Sequence, residues 1–152
     1  MYGFGIIRTM AKASEIRVQI IVNESVEKVW EAYTNPKHIV KWNHASDDWH
    51  SPRAENDLRV GGKFMSRMES KNGDEGFDFG GTYTNVVPHK LIAYTMSGPD
   101  KRKVQVEFEE VFVSTALTIT FDAETENSLE MQRAGWTAIL ENFKHYAEHL
   151  KY

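Results

Sequence analysis

Residues 128–150, SLEMQRAGWTAILENFKHYAEHL, decide the fold. Their apolar side chains recur every three or four positions with charged residues between them, a period that is typical of one amphipathic helix. A helix of roughly 25 residues would be about 37 Å long. The apolar positions are Leu129, Trp136, Ile139, Leu140, Phe143, Tyr146, Ala147 and Leu150. We therefore expect one long C-terminal helix that presents an apolar stripe to the rest of the molecule.

Upstream of this helix the sequence alternates between apolar and polar residues. In residues 15–22, isoleucine and valine recur at every second position with Arg17 and Gln19 on the opposite face, which is typical of a half-buried strand. Residues 63–121 continue as several such runs, separated by turn signals such as the Asn-Gly pair at 72–73. This order predicts a meander of antiparallel strands with one polar and one apolar face.

Two short helical patterns follow the first strand and meet at residues 35–36. Asn35 is a helix cap, and Pro36 suits the first position of the second helix. Between this pair and the meander, residues 43–59 are polar and show no sustained period. We expect a loop with short irregular strands there.

The predicted order is one strand, two short helices, about six strands and one long helix. The terminal helix is the only large cover for the apolar face of the sheet. A twisted, curved sheet cannot lie flush against a straight helix over its whole length, so large side chains, water or a ligand must fill the space between them. The order therefore predicts an α+β fold in which a curved antiparallel sheet of about six or seven strands wraps around the helix and encloses a pocket.

Composition places the chain among globular proteins. It has 152 residues, of which 12% are aromatic and none is cysteine. Thiol catalysis, cysteine-based zinc sites and iron–sulfur clusters are therefore excluded. No apolar run is long enough to span a bilayer. We predict a cytoplasmic protein with a single domain, residues 14–152, after a disordered or extension segment, residues 1–13; within that segment, residues 1–9 are interpreted as an upstream-start extension or an expression remnant.

Five short motifs carry a resemblance to a known superfamily. They are VWEAYTNPKHIVKW (29–42), DLRVGGKF (57–64), GTYTNVVP (81–88), the strand end Tyr94-Thr95 and QRAGW (132–136). The chain resembles the SRPBCC superfamily, also called START-like or birch-pollen-allergen-like. Within it, the chain is similar to the stand-alone bacterial homologues of the C-terminal domain of the activator of heat-shock protein 90 ATPase, a polyketide cyclase/dehydrase-like group. The resemblance implies a helix-grip fold with an internal cavity, in a superfamily whose functions are diverse.

The candidate binding residues have large, flat or compliant side chains, or lie beside one on the terminal helix. Aromatic rings and methionines suit a cavity for a flat or hydrophobic ligand, although each of them alone is also an ordinary core residue. Gly135 costs about 1 kcal/mol relative to alanine inside a helix, so we expect a close approach or pocket space there. The candidate set is Trp42, Trp49, Phe64, Met68, Phe77, Phe79, Tyr83, Tyr94, Met96, Phe108, Met131, Gly135 and Trp136.

Patterns for other chemistry are weaker. Three histidines and two aspartates crowd into residues 38–50, but their spacing fits neither a helix face nor a strand face, so solvated loop histidines are the simpler interpretation. Glu107 and Glu109 fall on the outer face of their predicted strand, and no acid–base pair is forced into contact. The Gly-Gly pair at 61–62 opens a strand and lacks the lysine of a phosphate-binding loop. We therefore predict no catalytic residue, metal or cofactor.

Three functions are compatible with these features. We rank first the binding of a small hydrophobic, aromatic or lipid-like molecule between sheet and helix. A cyclase or hydrolase acting in the same cavity comes second and requires a buried ionisable group. Regulation of a chaperone similar to heat-shock protein 90 comes last, because only the resemblance suggests it.

The net charge of −4 predicts no nucleic-acid partner. No membrane insertion is expected either, and a homodimer stays open because sheet edges can pair across a two-fold axis.

Overall fold

The structure, a computed structural model, describes residues 14–151. The segment interpreted as an extension, residues 1–13, lies outside this range. The elements in chain order are β1 (Glu15–Val22), α1 (Val26–Thr34), α2 (Pro36–Trp42), β2 (Trp49–Asn56), β3 (Lys63–Ser70), β4 (Gly76–Val87), β5 (Leu91–Met96), β6 (Lys103–Val111), β7 (Ser114–Asp122) and α3 (Leu129–His149).

The strands form one antiparallel sheet with the order β1-β7-β6-β5-β4-β3-β2. From β2 to β7, neighbours in the sheet are also neighbours in the chain, as expected of a meander. The first strand departs from this rule because it pairs with the last, from Glu15 opposite Asp122 to Val22 opposite Thr115. The seven strands curl into a half-barrel that holds α3, which confirms the predicted α+β helix-grip fold.

Alternation along the strands separates a buried face from an exposed one. In β6, Val104, Val106 and Phe108 are buried, whereas Gln105 and Glu107 between them are exposed. β1 alternates in nearly the same way. The buried faces of the strands and the apolar stripe of α3 form one hydrophobic core, as their two different periods predict.

Asn35 alone joins α1 to α2. Its side-chain oxygen accepts a hydrogen bond from the Lys37 N–H at 2.9 Å, while its own N–H donates to the last turn of α1 at 3.0 Å. The residue therefore ends one helix and begins the next, and Pro36 occupies the first turn as predicted. Trp42 donates its Nε1–H to the Ala32 carbonyl at 2.9 Å, which fixes the angle between the two helices.

The region expected to be a loop with short irregular strands contains a continuous edge strand, β2. It pairs with β3, and the register shifts between His50 and Arg53, which marks a bulge at Ser51 and Pro52. Proline is tolerated here because it has no N–H to donate and an edge strand leaves part of its N–H groups unpaired. The bulge breaks the alternation of side chains, so the sequence pattern concealed the strand.

The terminal helix is shorter than expected. It contains 21 residues, which corresponds to about 31 Å. Ser128 caps its start by accepting a hydrogen bond from the first turn at 3.1 Å, and the backbone becomes extended at Leu150. Gln132 ties this start to the end of the sheet: its side chain accepts from the Glu124 N–H at 2.9 Å and donates to the carbonyls of Glu124 and Asn127 at 3.0 and 2.9 Å. These contacts set the direction in which α3 crosses the sheet.

Candidate functional site

A cavity of about 250 Å³ lies between the inner face of the sheet, the α1–α2 pair and α3. Its wall is mostly apolar. The strands contribute Glu55, Asn56, Phe64, Ser66, Met68, Phe77, Phe79, Tyr83, Ile92, Tyr94 and Ile119; the helices contribute Tyr33, Thr34, Ile39, Trp42, Trp136, Ile139 and Leu140, with Asn43 just after α2. The straight helix and the curled sheet therefore leave a space between them.

Aromatic rings from three adjacent strands and α3 form one part of the wall, which we name the ring cluster. Phe64 lies edge-on to Tyr94, with ring centroids 4.7 Å apart, and its centroid is 5.2 Å from that of Tyr83. Phe79 completes the contacts, at 5.9 Å from Phe64 and 6.3 Å from Trp136 of α3. These side chains meet because each occupies an inward position on its own element.

Gly81, in the middle of β4, makes room for the ring cluster. A Cβ atom added there would lie 2.5 Å from the Thr95 carbonyl oxygen, 3.1 Å from the ring of Phe64 and 3.2 Å from the ring of Tyr94. Real Cβ atoms essentially never come within 3.0 Å of another atom, so a larger residue at this position must shift the backbone near Thr95 and press on the two rings. The position of the cluster therefore depends on a glycine in β4.

A second group of rings joins the helices to the sheet. Tyr33 of α1 stacks on Trp42 of α2, with centroids 5.1 Å apart. It also lies edge-on to Phe108 of β6 at 5.7 Å and to Phe143 of α3 at 5.3 Å. Tyr33 and Trp42 thus reach the cavity from the helical side, held in place by core residues behind them.

One chain of hydrogen bonds crosses the wall. The Tyr83 hydroxyl donates to Asn56 Oδ1 at 2.5 Å, and Asn56 Nδ2 donates to the Thr34 carbonyl at 2.7 Å. Burial raises the pKa of Tyr83 well above its ordinary value, although the hydrogen bond to Asn56 acts in the opposite direction. The chain connects β4 to β2 and to the end of α1, and it leaves the Tyr83 hydroxyl engaged in the protein itself.

Three other hydroxyls in the wall make no hydrogen bond within residues 14–151. They belong to Tyr33, Ser66 and Tyr94. Tyr94 is 7% exposed and Ser66 is 4% exposed. Burial raises the pKa of both Tyr33 and Tyr94, and the neighbouring phenols raise it further. Both phenols therefore stay protonated at neutral pH and are able to donate a hydrogen bond.

The mouth of the cavity lies at the β2–β3–β4 side of the sheet. Phe77 of β4 lines the cavity and is 51% exposed. Its ring packs against Trp49 of β2, with centroids 6.0 Å apart. Glu55 of β2 is exposed and pairs with Met65, a register that directs its side chain to the outer face of the sheet. The mouth is therefore an apolar rim formed by Phe77 and Trp49.

Of the thirteen residues predicted from the sequence, the cavity brings together eight. They are Trp42, Phe64, Met68, Phe77, Phe79, Tyr83, Tyr94 and Trp136. They share inward positions on alternating strands or on the apolar faces of helices, which is the signal that the sequence analysis used.

The other five predicted residues lie elsewhere. Trp49 packs beside the mouth, and Met96 and Phe108 are buried in the core. Met131 is 63% exposed in the first turn of α3, where its side chain lies outside the apolar stripe of the helix. At Gly135 an added Cβ atom would meet no atom within 4 Å, so of the two expected reasons, close approach or pocket space, the close approach is wrong; Gly135 is not among the residues that line the cavity.

Sequence reasoning missed most of the polar residues in the wall. Tyr33 belongs to the apolar face of a short helix, which indicates a core residue rather than a wall residue. Asn56 lies in the polar stretch whose strand is concealed by a bulge. Ser66 could have been found, because it lies between Phe64 and Met68 at the same alternating spacing.

Two of the three crowded histidines, His38 and His50, make ordinary contacts. His38 Nδ1 lies 2.6 Å from the Tyr146 hydroxyl, and His50 Nε2 lies 3.8 Å from the Glu69 carboxylate. In the part of the chain that the structure describes, no group of three histidines or acidic residues could hold a metal ion. Over the same residues, no helix combines the length and the apolar character that crossing a membrane requires.

Comparison with known proteins agrees with the fold described above. The model of the family described as Activator of Hsp90 ATPase homolog 1-like protein matches residues 23–148. The solution NMR structure of the AHSA1-like protein from Aeromonas hydrophila is 39% identical, with a TM-score of 0.82, and the match covers 91% of this chain and 99% of that one. The solution structure of a protein from Cytophaga hutchinsonii is 42% identical, with a TM-score of 0.76 and coverage of 91% and 97%.

A more distant structure shares the fold. The solution structure of the Aha1 dimer from Colwellia psychrerythraea is 22% identical, with a TM-score of 0.66 and coverage of 90% of this chain and 93% of that one. Comparison with curated proteins gives no significant match. The family match and the two closer structures confirm the resemblance that the motifs indicated. The chain belongs to the family of Activator of Hsp90 ATPase homolog 1-like proteins, within the SRPBCC superfamily.

Proposed function

We propose that this protein binds a small hydrophobic or aromatic molecule in the cavity between the sheet and α3. The observation that carries the proposal is a ring-lined space of about 250 Å³ with an apolar mouth at Phe77. Concave, mostly apolar sites with a few polar groups are the usual form of small-molecule sites. The half-exposed Phe77, packed against Trp49, provides an apolar entrance to this space.

The cavity volume limits the size of the ligand. A cavity of about 150 Å³ lined by apolar side chains binds benzene. By the same scale, the cavity of about 250 Å³ accommodates roughly ten non-hydrogen atoms, which is the size of a fused bicyclic ring. A longer molecule would have to extend through the mouth past Phe77.

Titration with indane, an uncharged bicyclic hydrocarbon, tests the proposal. We expect saturable one-site binding by isothermal titration calorimetry, with a Kd of roughly 10 µM to 1 mM for a ligand of this size. We also expect the fluorescence of the protein to change on binding, because Trp42 and Trp136 line the cavity.

A pair of leucine variants locates the site. Ser66→Leu adds volume inside the cavity and should weaken indane binding by about tenfold or more, without loss of thermal stability, because filling a cavity is stabilising. Gln105→Leu places the same side chain on the exposed face of β6 and should leave binding unchanged. The proposal fails if indane does not bind at all, or if it binds Ser66→Leu as tightly as the parent protein.

An enzyme of the cyclase or hydrolase type has less support. Such an enzyme needs a general acid or base near the ligand. Among the wall residues that the structure describes, the carboxylate is that of Glu55, which is exposed and directed to the outer face of the sheet. The buried phenols stay protonated and therefore cannot act as bases at neutral pH. Mass spectrometry of compounds before and after incubation with the protein would detect any chemical conversion.

Chaperone regulation is the last alternative, and it rests on the family description. An ATPase assay with the heat-shock protein 90 of the same cell tests it directly.

We further propose a single cytoplasmic domain over residues 14–152. A homodimer also stays a proposal, supported by one relative that is described as a dimer; light scattering of the purified protein measures the oligomeric state.

A further inference from the structure

Some hydroxyls in the cavity wall have no partner in the described part of the protein, and they influence which ligands the cavity binds. Tyr33 on α1, Ser66 on β3 and Tyr94 on β5 line the same cavity, and their hydroxyls make no hydrogen bond within residues 14–151. Ser66 and Tyr94 are almost completely buried. Buried polar groups are nearly always hydrogen-bonded, because an unpaired one costs about 1–3 kcal/mol. Over this range the protein itself does not pair these three hydroxyls, so they are available to hydrogen-bond a molecule bound in the cavity that they line.

Tyr83 shows what a structural phenol in this wall looks like. It belongs to the same ring cluster and lies opposite Tyr94 across two paired strands. Its hydroxyl donates to Asn56 at 2.5 Å and connects two strands. The hydroxyls of Tyr33 and Tyr94 form no such connection within residues 14–151, although their rings also pack against neighbouring rings.

The charge of the wall restricts the partner further. Among the described residues, the wall contains no lysine or arginine, and the side chain of Glu55 is directed to the outer face of the sheet. The phenols and the serine are neutral groups that donate hydrogen bonds. An anion would have to lose its hydration without gaining a cation, which is costly in an apolar site. An uncharged acceptor, such as a ketone oxygen, meets the donors without that cost.

We propose that the cavity selects uncharged molecules in which a flat apolar ring system carries a hydrogen-bond acceptor, and that Tyr94 and Tyr33 donate to this acceptor. The inference rests on the proposed function and deepens it, because it names the chemical class of the ligand. The ring system packs against the ring cluster, and the acceptor receives hydrogen bonds that these two phenols do not donate to any protein group within residues 14–151.

Paired titrations with 1-indanone and indane test the inference, because the two compounds differ chiefly by one carbonyl group. Tyr94→Phe and Tyr33→Phe should each weaken 1-indanone binding by about three- to tenfold, the usual worth of one hydrogen bond. Indane binding should stay within about twofold of the parent value. Tyr146→Phe is the matched control, since its hydroxyl lies 2.6 Å from His38 Nδ1 and outside the cavity wall; it should change neither affinity.

The outcomes separate the inference from the proposed function. If indane binds and neither phenylalanine variant changes the ratio of the two affinities, the inference is overturned and the proposed function stands. If neither compound binds the parent protein, both are overturned. Indane-2-carboxylate supplies a third arm: we expect it to bind at least about tenfold more weakly than 1-indanone, and tighter binding would overturn the assignment of an uncharged ligand.

Discussion

At the scale of single residues, Tyr83 and Tyr94 carry the same hydroxyl in different surroundings. Tyr83→Phe would leave Asn56 Oδ1 without its donor, so we expect the free energy of unfolding to fall by about 1–2 kcal/mol. Tyr94→Phe removes a hydroxyl with no partner in the described chain and should leave the free energy of unfolding unchanged or higher. Urea unfolding of both variants without added ligand measures the difference. Equal losses would show that the Tyr94 hydroxyl is already paired in the free protein.

Gln132 is a second residue whose role can be measured. Its amide donates to two carbonyls and its oxygen accepts from the Glu124 N–H. Gln132→Glu removes both donors and places a carboxylate against carbonyl oxygens, so we expect a loss of about 2–3 kcal/mol in the free energy of unfolding. Gln105→Glu, on the exposed face of β6, makes the same chemical change and should cost about 0.5 kcal/mol or less. Similar losses in the two variants would contradict the role assigned to Gln132.

The orientation of a single side chain was predictable wherever the alternation of apolar and polar residues determined the face of the element on which it lies. Phe64 and Met68 alternate along β3, so their inward position followed from the sequence. The hydrogen bonds of Asn56 did not, because its donor on β4 and its acceptor at the end of α1 come together only in the folded protein. For the same reason, the sequence could identify tyrosines as large rings but could not separate a paired hydroxyl from an unpaired one.

At the scale of elements, replacing either of two glycines with alanine should change the stability of the protein in opposite directions. Gly135 lies within α3, and an added Cβ atom would meet nothing within 4 Å. Gly135→Ala should therefore raise the free energy of unfolding by about 1 kcal/mol, the difference in helix propensity. Thermal unfolding followed by circular dichroism measures this change.

Gly81→Ala is the matched comparison in β4. Its added Cβ atom would lie 2.5 Å from the Thr95 carbonyl oxygen and would press on two rings of the ring cluster. We expect a clear decrease in melting temperature for this variant, because overpacking costs about 1–3 kcal/mol. A stabilised Gly81→Ala, or a destabilised Gly135→Ala, would contradict the surroundings described for these positions.

Elements with an undisturbed period were predicted well, and elements with a local irregularity were not. The joint between α1 and α2 followed from Asn35 and Pro36, because capping is a local property. β2 escaped detection because Pro52 and the bulge interrupt its alternation. Such an edge strand is defined by its hydrogen bonds to β3, and the interrupted alternation of its own residues does not reveal that pairing.

At the scale of the whole molecule, the buried phenols predict a dependence of stability on alkaline pH. Burial raises the pKa of Tyr33, Tyr83 and Tyr94 in the folded protein, whereas unfolded tyrosine titrates near pH 10. A raised folded pKa gives a contribution to stability that is complete below about pH 10 and is lost as the pH rises above it. We therefore expect the free energy of unfolding to fall above about pH 10.

Ultraviolet absorbance of the phenolate form provides the check. In the native protein, these three tyrosines should titrate only when the protein unfolds, whereas in concentrated urea all tyrosines should titrate together near pH 10. Tyr94→Phe should reduce the late step by about a third. Complete titration near pH 10 while circular dichroism still reports native structure would contradict the burial of these groups.

The architecture was predictable from the order of elements, but the dimensions of the cavity were not. A sheet of this size needs a helical cover, so the helix-grip arrangement followed from the sequence. The cavity depends on how far the sheet curls and on small residues such as Gly81 and Ser66, each of which changes the free space by a few atoms. Those quantities arise from the packing of all elements together.

The pairing of β1 with β7 also affects how the protein is made. Glu15 lies opposite Asp122, so the strand that leaves the ribosome first has no neighbour until almost the whole sheet has been synthesised. Closing so long a loop is entropically costly, and contacts of this kind slow folding. A chain that stops before Ser114 would present its first strand and the open edge of β6 to other molecules. Translation that stalls in this region should therefore yield aggregation-prone fragments rather than a partly functional protein.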